Sequence, residues 1–173
     1  SAMAVRNILT IGHPTLTAVA QPVAAIDDEI RVLAADLVET MRKAPGLGLA
    51  APQIGVSKRV ITVDPSAGEN PDDLLVLVNP AIAEQEGQET CEEGCLSVPD
   101  VFEPVARPTR VVVSFIDLEG TPRTVEGVGL PARVLCHEID HLNGKLFIEK
   151  LSPLKRALIK KKIKKKQSQA AGR

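Results

Sequence analysis

A chain of 173 residues, 44% hydrophobic and 25% charged, is long enough for one domain with a real core and short for two. With three Phe and neither Trp nor Tyr its core must be aliphatic, which argues against aromatic platforms for bases or sugars. The net charge of -1 hides an acidic body, -11 over residues 1–149, followed by a tail with ten basic and no acidic residues from Lys150 onward, a pattern that suits a polyanionic partner.

Ser1-Ala2 before Met3 reads as a tag-removal scar, and the first helix follows at Ile26-Asp27-Asp28-Glu29, where acids suit the positive end of a helix. Ile30, Leu33, Ala34, Leu37, Val38 and Met41 recur at helical spacing, and Pro45-Gly46 ends the element. Four apolar, β-branched runs then predict strands at Val60–Val63, Leu74–Val78, Val111–Phe115 and Thr124–Val128, separated by Asp64-Pro65, Asn79-Pro80 and Glu119-Gly120. A second helix starts near Pro131 and stops at Asn143-Gly144. From Pro153 to about Lys166 the spacing predicts a third, amphipathic helix with Leu154, Leu158, Ile159 and Ile163 on one face. Strands and helices are segregated, so the expected class is α+β, with short antiparallel and mixed strands around the second helix. Three cysteines at unhelpful spacings form no small disulfide framework, and no apolar stretch approaches about 18 residues. The expectation is a soluble, cytoplasmic protein with neither membrane nor DNA as partner.

The sharpest local signal is His137-Glu138-Ile139-Asp140-His141. Residues four apart share a helix face, so both imidazoles can bind one metal ion while Glu138 takes a proton from metal-bound water. A water-activating site calls for a third protein ligand. Cys136 points about 100° away from His137 and reads as a buried thiol, and His13, in Gly12-His13-Pro14, reads as a local hydrogen-bonding residue. Cys95, after Gly94 and before an extended run ending at Pro99, is the favoured third ligand, with a small core residue as the alternative. Cys91 shares its strand face and either lines the site or packs in the core. Gly46-Leu47-Gly48-Leu49-Ala50-Ala51-Pro52-Gln53 lacks the Lys and Ser/Thr of a phosphate loop. It reads either as a wall where a substrate backbone comes close and Gln53 donates to an oxyanion, or as a tight packing turn.

These three segments together resemble the peptide deformylase family, which is marked by G-x-G-L-A-A-x-Q, E-G-C-L-S and H-E-x-D-H. Here they read Gly46 to Gln53, Glu93-Gly94-Cys95-Leu96-Ser97 and His137 to His141, and the resemblance runs from about Val5 to Lys150. It implies a catalytic domain over residues 3–150 with a basic helical extension over 151–173. The implied reaction removes the formyl group from N-terminal formyl-methionine of new polypeptides and releases formate. The resemblance puts the metal ligands on Cys95, His137 and His141 with water as the fourth, the general base and acid on Glu138, and oxyanion stabilisation on Gln53 and the backbone N–H of Leu96. A peptide would pair as an added strand along Gly46, Leu47 and Gly48, with Glu93 and Gly94 beside it. Its methionine would enter a pocket lined by Leu47, Cys91, Leu130, Val134 and the aliphatic side of His137. Arg133 would line that pocket with its stem while its charge reaches solvent, Phe102 would stand near the mouth, and Glu93 would pair with Arg107. Ferrous iron is the implied ion, although the same donors suit Zn2+, Ni2+ or Co2+.

Two other readings of the motifs are a peptidase of the H-E-x-x-H type and a polyanion-binding module with a structural metal. The basic tail itself is either a solubilising helix or, as in bacterial relatives, a ribosome-docking one.

Overall fold

The computed structural model describes residues 4–172; the expected tag scar at Ser1-Ala2 lies outside them. Seven strands, β1 (Gly48–Ala50), β2 (Val60–Val63), β3 (Leu75–Glu86), β4 (Glu89–Cys95), β5 (Val98–Arg107), β6 (Arg110–Ile116) and β7 (Pro122–Val128), combine with three helices, α1 (Asp28–Lys43), α2 (Leu130–Leu142) and α3 (Pro153–Ala171). β1-β2-β3-β6-β7 form one sheet and β4-β5 a separate hairpin. Every strand pair in both is antiparallel, which corrects the expected mixture; the parallel pairing seen is an isolated bridge between Gln21 and Lys58.

Helix α1 begins as its acids predict: the Asp27 side chain accepts a hydrogen bond from the Ile30 N–H at 3.0 Å, filling one of the donors a helix start leaves open. Its apolar stripe of Ile30, Leu33, Leu37 and Met41 packs with Leu49, Val60 and Val78 of the sheet. Helix α2 is hydrophobic or site-forming on nearly every side and lies against β1, β2 and β7. Its first turn sits so close to β7 that a Cβ on Gly127 would come within 2.9 Å of the Ala132 nitrogen, so only glycine fits there.

Three strands, β1, β4 and β5, lie outside the four apolar runs that predict strands, for physical reasons. β1 is three residues of Gly-Leu-Ala with little strand propensity. β4 carries almost no apolar alternation, and β5 contains Pro99 and Pro104, tolerated because a two-stranded hairpin is all edge. β3 continues past Asn79-Pro80 to Glu86 through register shifts, with Asn79 in the left-handed region at φ 50°.

The third helix forms, but not with the predicted face. Ile159 lies five residues, about 140° of turn, beyond Leu154, so the four apolar positions cannot share one stripe. Ile159 and Ile163 pack beside Val98, Val105 and Phe147, whereas Leu154 and Leu158 are 72% and 59% exposed. Lys155 pairs with Glu103 at 2.6 Å and Lys166 with Asp100 at 2.9 Å, so α3 is tied along the back of the β4-β5 hairpin. Among the described residues no helix is long and apolar enough to cross a membrane.

Candidate metal centre and its cleft

Helix α2 and the end of β4 bring three donors together: the ligand atoms of Cys95, His137 and His141 all lie within 4.8 Å of one another. Cys95 Sγ is 3.4 Å from His141 Nε2, and it faces the Ser97 N–H at 3.4 Å and the Gln53 amide nitrogen at 3.8 Å. Those N–H groups suit a sulfur that carries negative charge. His137 uses Nδ1 on Glu93 Oε2 at 2.7 Å, which leaves Nε2 as its free donor. Burial, with help from nearby His137, pulls His141 well below the ordinary imidazole value and keeps it neutral, the form that binds a metal. For His137 burial acts downward too, but contacts with Cys95 and Glu93 outweigh it and raise its value. One half-buried sulfur and two buried imidazoles, converging, are a donor set that fits a divalent transition metal.

Glu138 lies beside these donors, 4% exposed, with Oε1 buried and unpartnered. Burial raises its carboxyl to about 7. The backbone of β1 presses directly on it: a Cβ built on Gly48 would meet Glu138 Oε2 at 2.6 Å and Cγ at 2.8 Å. Gln53 is held on both ends, accepting from the Ala50 N–H at 2.9 Å and donating to Ser97 Oγ at 3.0 Å.

Behind the donors, Glu93 is buried among cations. Arg107 donates Nε to Oε1 at 3.1 Å and Nη2 to Oε2 at 2.7 Å, and Arg133 donates Nη1 to Oε1 at 3.0 Å. Burial alone would push this carboxyl up; the hydrogen bonds from His137 and Arg107 overcome it and hold Glu93 far below the usual carboxylate range. The Glu93–Arg107 pair is therefore direct. Arg133 departs from expectation: it is 9% exposed and its charge is turned inward, because Glu93 and the carbonyls of Val105 and Glu89 supply three acceptors within 3.0 Å.

The donors open onto a cleft of about 520 Å³ whose walls include Leu47, Gly48, Leu130, Arg133 and Val134. Gly46, Gln53, Glu93, Gly94, Leu96 and Phe102 also line it, so most predicted site residues meet here. Phe102 covers Gly94 on the paired strand, where a Cβ would come 2.6 Å from its ring, and stays 64% exposed at the mouth. Cys91 does not line the cleft. A register shift between Gly94 and Cys95 interrupts the alternation that would put it on the Cys95 side of β4, four residues of strand carry it about 13 Å away, and its thiol turns to Glu89 at 3.4 Å. Cys136 is buried, and His13 accepts from the Thr15 N–H at 3.2 Å, both as expected.

Asp140 and Ser97 were not assigned roles from the sequence, although both lie inside the recognised motifs. Asp140 takes the third nitrogen of Arg107 at 2.5 Å, and Ser97 holds Gln53 and faces Cys95.

Residues 5–157 match the family model described as polypeptide deformylase. The chain belongs to that family. It is 48% identical over 169 residues to a peptide deformylase of Nitrosococcus oceani, covering 98% of this chain and 100% of the relative, and 50% identical over 170 residues to peptide deformylase 1 of Ralstonia nicotianae, covering 98% and 99%. Its fold is similar to the crystal structure of a peptide deformylase from Legionella pneumophila, with a TM-score of 0.90, 42% identity and coverage of 98% and 99%. It is also similar to the Ehrlichia chaffeensis peptide deformylase in complex with actinonin, with a TM-score of 0.88, 38% identity and coverage of 95% and 98%.

The contact between Gly48 and Glu138 makes a specific prediction for this deformylase-family chain. A crystal structure of Gly48→Ala is expected to show the Glu138 carboxylate displaced by about 1 Å or more, with the Cys95, His137 and His141 side chains in place. An unmoved carboxylate would contradict the close fit.

Proposed function

We propose that this chain hydrolyses the N-formyl group of formyl-methionyl nascent peptides, releasing formate, with Cys95, His137 and His141 holding one divalent metal ion. The observation that carries this reading is the convergence of those donor atoms within 4.8 Å beside the unpartnered Oε1 of Glu138. When bound, such an ion supplies Lewis-acid polarisation of a carbonyl and lowers the pKa of water.

The chain's own residues do the rest. Glu138 takes the proton of the attacking water through its open oxygen and passes it to the departing amine. The Gln53 amide, fixed by Ala50 and Ser97, and the backbone N–H of Leu96 stabilise the charge that develops on the formyl oxygen. β1 is an edge strand, which supports a peptide added along Gly46, Leu47 and Gly48. Leu47, Leu130, Val134 and the methylenes of Arg133 give the methionine side chain an apolar pocket. The tight contact of Gly48 with Glu138 leaves room for a formyl hydrogen and rejects the methyl group of an acetyl.

Ferrous iron is the ion of this proposal in the cell, and Zn2+, Ni2+ or Co2+ fit the same donors. The H-E-x-x-H peptidase and the structural-metal module are not favoured, since the family match spans the whole body of the chain. Anaerobically purified, iron-loaded protein is expected to deformylate formyl-Met-Ala-Ser. Glu138→Gln, with all metal donors intact, should lose at least about 100-fold in kcat. Wild-type turnover in Glu138→Gln, or cleavage of internal peptide bonds in place of deformylation, would overturn the reading.

The tail is proposed to dock on the ribosome, whose RNA supplies phosphates for its lysines. Lys161, Lys162, Lys164 and Lys165 make no ion pair among the described residues, whereas Lys155, Arg156, Lys160 and Lys166 are engaged with the body. Replacing the first four by Gln should spare formyl-peptide turnover and weaken ribosome cosedimentation at low salt. Unchanged cosedimentation would contradict docking.

A further inference from the structure

The proposed chemistry uses the methylenes of Arg133 as pocket wall and leaves its guanidinium without a task. Four positions before His137 on α2, Arg133 lies on the same helix face, and both side chains grip the carboxylate of Glu93: Arg133 Nη1 on Oε1 at 3.0 Å and His137 Nδ1 on Oε2 at 2.7 Å. Its remaining bonds go to backbone, from Nη1 to the Val105 carbonyl at 2.9 Å and from Nη2 to the Glu89 carbonyl at 2.8 Å. One guanidinium thus ties α2 to both strands of the hairpin that carries Cys95.

Arg107 cannot do the same work alone. It belongs to β5, so its fork on Glu93 fixes the carboxylate only within the hairpin, and its single link to α2 is to Asp140 near the helix's far end. The carboxylate needs a second anchor on the helix if its Oε2 is to stay aligned with the His137 ring. Arg133 is that anchor, and at 9% exposure it has exchanged water for these acceptors. Its methylenes meanwhile wall the cleft.

We propose that Arg133 is a positioning residue: by clamping Glu93 between α2 and the β4-β5 hairpin, it orients His137 so that Nε2 faces Cys95 and His141, and it couples the wall of the methionine pocket to the geometry of the metal donors. The inference rests on the proposed metal-dependent function. The geometry excludes the simpler role of a pocket lining whose charge lies in water, because all three of its polar bonds are internal.

The test uses the full chain with Arg133→Met, which keeps apolar volume in the wall and removes the clamp, and Arg133→Lys, which keeps the charge but cannot span three acceptors. Cobalt(II) affinity is measured by chelator competition, alongside kcat and KM for formyl-Met-Ala-Ser. Positioning predicts that Arg133→Met binds cobalt about 10-fold more weakly and loses about 10-fold in kcat with KM nearly unchanged, and that Arg133→Lys recovers part of both. Cobalt affinity and kcat equal to wild type, with only KM raised, would overturn the proposal and leave Arg133 as a pocket wall. If Arg133→Met does not fold, Arg133→Lys decides: weaker cobalt binding supports the clamp, and wild-type binding refutes it. Wild-type protein that binds no cobalt would instead overturn the functional reading beneath the inference.

Discussion

A carboxylate buried without partners would carry a penalty of several kcal/mol, and Glu93 avoids it by taking two arginines and a histidine at once. The three partners come from two elements distant in sequence, Arg107 from β5 and Arg133 and His137 from α2, while Glu93 itself sits on β4 two residues before Cys95. The same ion pairs that satisfy the buried charge therefore fix the hairpin against the helix. Since one bears the thiol and the other both imidazoles, the relative position of the three donors follows from this one electrostatic knot. Removing Glu93 would leave the buried Arg133 guanidinium with backbone carbonyls and no carboxylate, so the arrangement is held in one geometry by that residue.

The second constraint is steric. α2 is packed between the sheet and the hairpin, with Gly127 admitting its first turn and Gly48 admitting Glu138. Glycine at these positions trades side-chain packing for close backbone approach. At Gly48 the result places an edge strand, open to a peptide, in direct contact with the carboxyl group proposed to move the proton. Binding an extended peptide and performing proton transfer thus share one wall. From the opposite side, Phe147 stacks on His137 with ring centroids 6.2 Å apart and belongs to the apolar cluster that receives Ile159 and Ile163 of α3. The basic helix is in this way continuous with the packing behind the donors, although its unpaired lysines face outward.

The parts legible from sequence were those with a short-range signature. α1 follows from its acids and 3.6-residue stripe, and the His137-to-His141 spacing follows from helix geometry alone. Cys95 was the favoured third donor from local context and was fixed only by the family resemblance. The β4-β5 hairpin was largely illegible because its strands are polar or proline-containing, and their pairing is decided by contacts with α2 distant in sequence. Arg133 shows the same limit: an arginine in an apolar helix reads as one that reaches water, and only the fold reveals the carboxylate and two carbonyls that turn it inward. Leu154 and Ile159 failed for a simpler reason, since a five-residue step does not return to the same helix face.

The central claim, that the Glu93 knot brings Cys95, His137 and His141 to bear on a single ion, is tested most directly by X-ray diffraction from crystals of metal-loaded protein at the absorption edge of the bound metal. The account predicts one strong anomalous peak at about 2.0–2.4 Å from Cys95 Sγ and from one ring nitrogen of each histidine, with Nε2 of His137 as its donor. A peak elsewhere, or one bound by His137 through Nδ1 with Glu93 displaced, would contradict it.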